Sequence, residues 1–383
     1  MALTHYSGML PVWSNVEEVG IVRSLFIWVA VFSVVALQSA YVLFHVVQLK
    51  IQFTENRSIH SVTFNTLWLF PFAIGFVVHV YYVGQARTLA ELLHDWQLTE
   101  KPLLSVRWKR RIQWVRGFFY GLALTLGALT ATSVVFDTNK RPEASYLLSY
   151  YAFFREPGMY PLTVGIPLAA IFFEKILTAM SDLVPSFFYF HVSLAVRGLA
   201  SRIESLHRAS SAVETIQLDD QKATQTSRQG IQTIRSDYNR LRQCVERANA
   251  LFGPVIIFSH SLKFCLICVL SYKTLYGLAN SSQYGVFFVN LIFVAYELVS
   301  NVLLISQLKK ADSDFRGSYS DYVTDGWSSL APEEKETAAA FSNELRVEQL
   351  AVKPSNLYTI QPELLLKMLG LVTTYTIILL QSG

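Results

Sequence analysis

Seven apolar stretches, each about the length of a bilayer-crossing helix, constrain this chain more than any other feature. They run over Leu25–Val47, Val62–Val83, Ile112–Phe136, Gly165–Phe190, Leu251–Gly277, Tyr284–Ile305 and Leu364–Gln381. Hydrocarbon gives backbone polar groups no partner except one another, and a helix satisfies them all within one segment. The expected fold is therefore an all-α membrane protein with seven transmembrane helices. Composition agrees, since 16% of the 383 residues are charged where a soluble domain carries about 25%.

Lysine and arginine set the expected orientation, because positively charged connections stay in the cytoplasm. The second connection holds Arg87, Lys101, Arg107, Lys109, Arg110 and Arg111, the fourth is basic from Arg197 to Arg247, and the sixth from Lys309 to Lys353. The first has Lys50 and Arg57, the third Lys140, Arg141 and Arg155, and the fifth none. This places the amino terminus and the even-numbered connections inside and the carboxyl terminus outside. Both N-glycosylation sequons, at Asn56 and Asn280, then fall outside. The first twenty residues are acidic at Glu17 and Glu18 and lack a basic leader, so the first span is expected to serve as the targeting signal.

Helical periodicity continues past two of the spans. Val192, Val196, Leu199, Ile203 and Leu206 extend the fourth, and Ile234, Tyr238, Leu241, Val245, Ala248 and Phe252 lead into the fifth. A Ser/Thr/Gln-rich stretch, residues 210–229, lies between them, and an antiparallel helical pair beneath the membrane is expected. In the sixth connection Pro332, Glu333 and Glu334 suit a helix start, with Ala338, Phe341 and Leu345 on one face. The resulting organisation is a cytoplasmic segment 1–24, a bundle of four spans over 25–190, a cytoplasmic helical extension and linker over 191–250, spans five and six over 251–305, a cytoplasmic anchor over 306–363, and a last span over 364–383. These cytoplasmic helices serve either surface packing within one subunit or subunit assembly.

The last span places Thr374, Ile377, Ile378 and Gln381 at i, i+3, i+4 and i+7, one helical face with an apolar pair between polar residues. By spacing alone such a face is read more readily as packing inward in a single-chain bundle, its polar groups hydrogen-bonded to neighbours. Thr374-Tyr375, the five residues Thr376 to Leu380, and Gln381 together resemble the carboxyl-terminal signature of insect gustatory receptors: Thr-Tyr, five mostly apolar residues, Gln-Phe. Ser382 stands where phenylalanine is usual. The resemblance continues through LYTIQPELLLKMLGLVTTY and through YNRLRQCVERANALFGP, Tyr238 to Pro254. It implies a tastant-gated, weakly selective cation channel related to insect odorant receptors, without a cofactor. The assembly it implies is a homotetramer or heterotetramer in the plasma membrane of sensory neurons, with the seventh helix lining the pore. Carried over by position, Gln381 forms the outer constriction, Ile377 and Ile378 a dewetting gate, and Tyr375 braces the helix beside Thr374. Thr376 replaces the acidic residue that many sugar-receptor members carry, which points to a non-sugar ligand.

The resemblance also places the ligand in the outer half of the bundle without supplying a motif. Depth and chemistry single out Asn65, Trp68, Thr130, Tyr272, Tyr276, Phe288 and Asn290, a mixture of aromatic area and orienting polar groups. Interfacial aromatics are the plainer reading of each. Glu174 and Lys175 join them because ionisable groups in a bilayer face a partner or a wet cavity; Lys263 and Glu297 raise the same question, with pairing and ligand contact equally open. A secondary transporter coupling ions through Glu174, Lys175 and Glu297 is the alternative function, weakened by the lack of an internal repeat. A G-protein-coupled receptor would need the opposite topology.

Other chemistry is not indicated. His79 and His191 form no triad with an acid and a nucleophile and are taken as interfacial. Cys244, Cys265 and Cys268 lie where no oxidising compartment would pair them, and Cys265 and Cys268 read as small packing residues rather than metal ligands. A net charge of +4 without a basic stripe argues against nucleic acid, leaving a small molecule, membrane lipid and related subunits as partners.

Overall fold

The computed structural model describes scattered positions between 29 and 50 and then residues 74–103, 106–140, 160–215, 220–279, 284–328, 330, 332–347 and 349–382. Among these residues the regular structure is helical. We label the helices α1 (Ile74–Gly84), then α2 (Ala86–Leu103), α3 (Val106–Lys140), α4 (Tyr160–Thr215), α5 (Asp220–Ala279), α6 (Tyr284–Gly326), α7 (Pro332–Val347) and α8 (Glu363–Ser382). Isolated helical positions from Val29 to Val47 belong to the first expected span, with Lys50 just past it, and α1 is the end of the second. Spans three to seven correspond to α3, α4, α5, α6 and α8.

Three of these helices are far longer than a membrane requires. The 60 residues of α5 amount to about 90 Å at 1.5 Å per residue, roughly three times the hydrocarbon thickness. With the 56 residues of α4 and the 43 of α6, it must project well beyond the bilayer. The polar stretch 210–229 is largely helical, α4 continuing to Thr215 and α5 beginning at Asp220. Ser, Thr and Gln lower helix propensity by only a few tenths of a kcal/mol each, too little to stop a helix extended from a packed one.

Periodicity places the extensions correctly. Val192, Val196, Leu199 and Ile203 of α4 are buried, as are Ile234, Tyr238, Leu241, Val245, Ala248 and Phe252 of α5. They meet the lower part of α6 at Leu308, Ala311, Phe315 and Tyr319, and α7 closes the layer with Ala338, Phe341 and Leu345. Tyr238 and Phe315 stack at 5.0 Å, with Phe341 edge-on to Tyr319 at 4.9 Å. Asp312 organises the polar side of this core: Tyr238 Oη donates to it at 2.7 Å, Arg316 Nε at 2.6 Å and the Leu350 amide at 3.2 Å.

The segment before α8 is fixed to α5 at close range. Its 3-10 turn Pro354–Asn356 takes Ser355 and Asn356 into the left-handed region, φ 45° and 59°. It lies so near Gly253 that a Cβ there would stand 2.8 Å from the Ser355 amide nitrogen. Gly253 therefore admits the turn beside Pro254, the proline inside α5. Asn249 extends the attachment by donating to the Ala351 carbonyl at 3.2 Å while accepting from Tyr189 at 2.9 Å.

Candidate functional site

Two regions at membrane depth carry unusual side chains, and the first is α8. Its inner edge is partly covered: Val372 and Leu379 are half-buried and Thr376 is buried, facing α5. Thr374, Ile377, Ile378 and Gln381 fall on the opposite side and are exposed. The Thr374 hydroxyl donates to the Gly370 carbonyl at 2.9 Å, so it is satisfied within the helix. Tyr375 sits between the two sides, its ring edge-on to Phe264 of α5 at 6.3 Å. In the apolar stretch of α8 only 11% of residues are buried by the rest of the chain, against 83% in that of α4.

The second region is a buried charge cluster. Lys263 of α5 pairs with Asp182 of α4 and, at 3.0 Å, with Glu297 of α6. All three side chains are at most 5% exposed. Ser259 donates to the other Asp182 oxygen at 2.8 Å, and Ser186 to Asn301 at 2.6 Å. Buried ions are tolerated when paired and hydrogen-bonded, and these bonds tie three helices together at one level. Of the open readings for Lys263 and Glu297, the geometry gives pairing. Sequence reasoning did not select Asp182, although it carries the same signal as they do, a lone charge in an apolar stretch.

The outer-half residues are partly placed. Thr130 is fully buried and donates to the Leu126 carbonyl at 2.9 Å. Tyr272 and Tyr276 come together with ring centroids 5.8 Å apart, and the buried Lys273 lies 5.8 Å from the Tyr272 ring. Asn290 is buried while Phe288 is half exposed, so these two point to different sides of α6. Asn65, Trp68 and both sequon residues, Asn56 and Asn280, lie outside the described residues, as do the side chains of Glu174 and Lys175 on α4. His79 is buried. Among the described residues no group of His, Cys, Asp and Glu is arranged to hold a metal, and Cys244, Cys265 and Cys268 are free thiols.

Known proteins resemble this arrangement as a whole. The solved structure of the insect olfactory receptor OR5 from Machilis hrabei superimposes with a TM-score of 0.72 at 16% sequence identity, covering 100% of this chain and 96% of that one. The same receptor in complex with eugenol gives 0.71, at the same identity and coverage. At that identity the likeness establishes the fold. No curated protein matches the sequence. The family model described as trehalose receptor matches residues 1–383. The chain thus belongs to the trehalose receptor family of insect gustatory receptors, a family of receptors and not of enzymes.

Proposed function

We propose that this receptor is a tastant-gated, non-selective cation channel in which four like or related subunits surround a pore lined by α8. The exposure of α8 carries the reading. The helix is apolar enough to cross a membrane, yet its own subunit covers one side only, and the face left over holds Thr374, Ile377, Ile378 and Gln381. Around a fourfold axis, Gln381 makes a polar ring at one mouth and the isoleucines an apolar constriction that conducts only when widened enough to wet. Tyr375 against Phe264 couples this helix to α5, and the charge cluster couples α5 to α4 and α6.

The charge pattern of the connections supports helical extensions in the cytoplasm and Gln381 at the outer mouth, and the family resemblance supports the plasma membrane of a sensory neuron. The tastant lies in the outer half of the bundle, among Asn65, Trp68, Thr130, Glu174, Lys175, Tyr272, Tyr276, Phe288 and Asn290. The family description favours a disaccharide over the non-sugar ligand suggested by Thr376, and Thr376 faces α5, away from the pore face. A carrier mechanism is disfavoured because Glu297, which it would need, is held by Lys263.

Whole-cell recording tests the proposal, with trehalose, other sugars and bitter compounds applied to cells expressing this chain. The expected result is a sugar-evoked cation current whose relative permeabilities or block change in Gln381→Ala. A current with unchanged selectivity and block in both Gln381→Ala and Ile378→Ala removes α8 from the pore. Sugar uptake without current favours a carrier.

A further inference from the structure

Helices α2, α3 and α4 enclose a cavity of about 270 Å³ where spans three and four enter the helical extensions, far from the outer half in which we place the tastant. One wall is aromatic: Trp96 and Phe188 meet edge-on at 5.6 Å, with Phe187 alongside. The other carries Glu100, Arg116 and His191. Arg116 lies over the Phe187 ring, its Cζ 5.9 Å from the centroid. The Nε2 of His191 is buried and meets no hydrogen-bond partner among the described residues, an arrangement that costs free energy unless something at the cavity accepts or donates a hydrogen bond.

Depth narrows the choice of occupant. On α3, Trp114 is 81% exposed between the lining residues Gln113 and Arg116, and Arg110 and Arg111 are exposed just before them, Arg111 lying 5.5 Å from the Trp108 ring. Tryptophan and arginine concentrate where membrane meets water, so the cavity lies in the headgroup layer. Its volume suits a headgroup and not an entire lipid. A route for the chains continues from it: Gln113 lines the cavity, and Gly117 and Gly121 follow at four-residue intervals, exposed, with open space where a side chain would stand.

We propose that this cavity is a headgroup site for an amine-bearing phospholipid of the phosphatidylethanolamine class. Phosphodiester oxygens accept hydrogen bonds from the Arg116 guanidinium and from His191 Nε2–H, which supplies the missing partner. The ammonium lies between the Glu100 carboxylate and the faces of the aromatic wall, where ion pairing and cation–π attraction act together. Opposite charges on Glu100 and Arg116 select a zwitterion over an anionic headgroup. An acyl chain then runs along the surface of Gly117 and Gly121.

Native mass spectrometry of the full-length, delipidated protein tests this assignment, titrated with dioleoyl phosphatidylethanolamine, dioleoyl phosphatidylglycerol or free phosphoethanolamine. The expected result is one phosphatidylethanolamine retained per chain, at least tenfold tighter than phosphatidylglycerol. Arg116→Gln weakens it by roughly tenfold, the scale of one charge-assisted hydrogen bond, while Arg240→Gln, in a separate polar cavity, leaves it unchanged. Should Arg116→Gln fold poorly, a photoreactive phosphatidylethanolamine on the unmodified protein is expected to label residues 93–120 and 184–191, which bear the lining. Unchanged binding in Arg116→Gln, equal affinity for phosphatidylglycerol, or labelling confined to other segments overturns the proposal. Displacement by free phosphoethanolamine at matching concentrations overturns it too, since the site would then serve a soluble phosphoamine.

Discussion

Helices α4 and α8 each carry a stretch apolar enough to cross a bilayer, with mean hydropathy 1.3 within Asp182–Arg208 and 1.7 within Glu363–Gln381, yet 83% of the residues in the first stretch and 11% in the second are buried by their own chain. Hydrophobicity alone does not distinguish them, and α8 is the more apolar of the two. In water an exposed face such as Leu366, Leu369, Ile377 and Ile378 would be expelled into a core. In a membrane no such drive exists between helices, and packing is decided by small residues, hydrogen bonds and ion pairs. Helix α4 has these in its span: Asp182 on Lys263 and Ser186 on Asn301. Helix α8 has contacts along one side and a face left for lipid or other subunits.

The largest expected effect attacks the bonded side of this contrast. Lys263→Met leaves Asp182 and Glu297 buried without their common cation, at a cost of about 3–5 kcal/mol, and is expected to abolish the monodisperse protein after detergent extraction. Replacing all three together, as Lys263→Met with Asp182→Asn and Glu297→Gln, recovers most of that loss. On the unpartnered helix, Gln381→Ala and Ile378→Ala shift the thermal midpoint little, because surface changes stay within about 0.5 kcal/mol. Equal losses in the two helices would erase the distinction.

Legibility in the sequence divides along similar lines. Periodic apolar residues reveal burial wherever water lies on the other side, so the extensions were readable residue by residue, including Ala338, Phe341 and Leu345 of α7. Within the bilayer both faces of a helix are apolar, and the period carries less information. Rare charges replace it as the signal, which exposed Lys263 and Glu297 and also marks Asp182. Their pairing was not legible, because it depends on how three helices rotate about their axes. The polar stretch 210–229, placed between the two long helices, is itself helical over 210–215 and 220–229, because composition alone does not stop a helix that inherits its start from a packed neighbour.

A smaller effect sharpens the comparison with one chemical change made twice. Gly253→Ala puts a Cβ 2.8 Å from the Ser355 amide nitrogen, a backbone atom that cannot yield cheaply, and is expected to destabilise by about 1–3 kcal/mol. Gly370→Ala in α8 meets nothing within 4 Å and is expected to stabilise the helix by up to about 1 kcal/mol. Thermal unfolding of the two purified variants reads the signs directly. A loss at Gly370 matching that at Gly253 would mean that α8 is closely packed after all, by a partner subunit at that position.

The smallest expected effect lies outside the membrane, where α7 docks on α5. Glu344 makes a two-point contact with the Arg235 guanidinium, one arm being Nε to Oε2 at 3.1 Å. That hydrogen-bonded partner holds the Glu344 carboxyl below its ordinary value near 4.5. A depressed carboxylate stabilises the fold fully above the unfolded pKa and loses that contribution as pH falls through the folded one. Stability from this pair is therefore flat between pH 6 and 8 and declines only below about pH 4.5. Both side chains are 34% exposed, so solvent screening limits the contribution to less than about 1 kcal/mol. Comparing the thermal midpoints of the parent and Glu344→Gln from pH 7 to pH 3.5 checks this, with the two curves converging at the acid end. Convergence already at pH 6 would show that the pair does not hold α7, leaving Phe341 and Leu345 to do so by apolar contact alone.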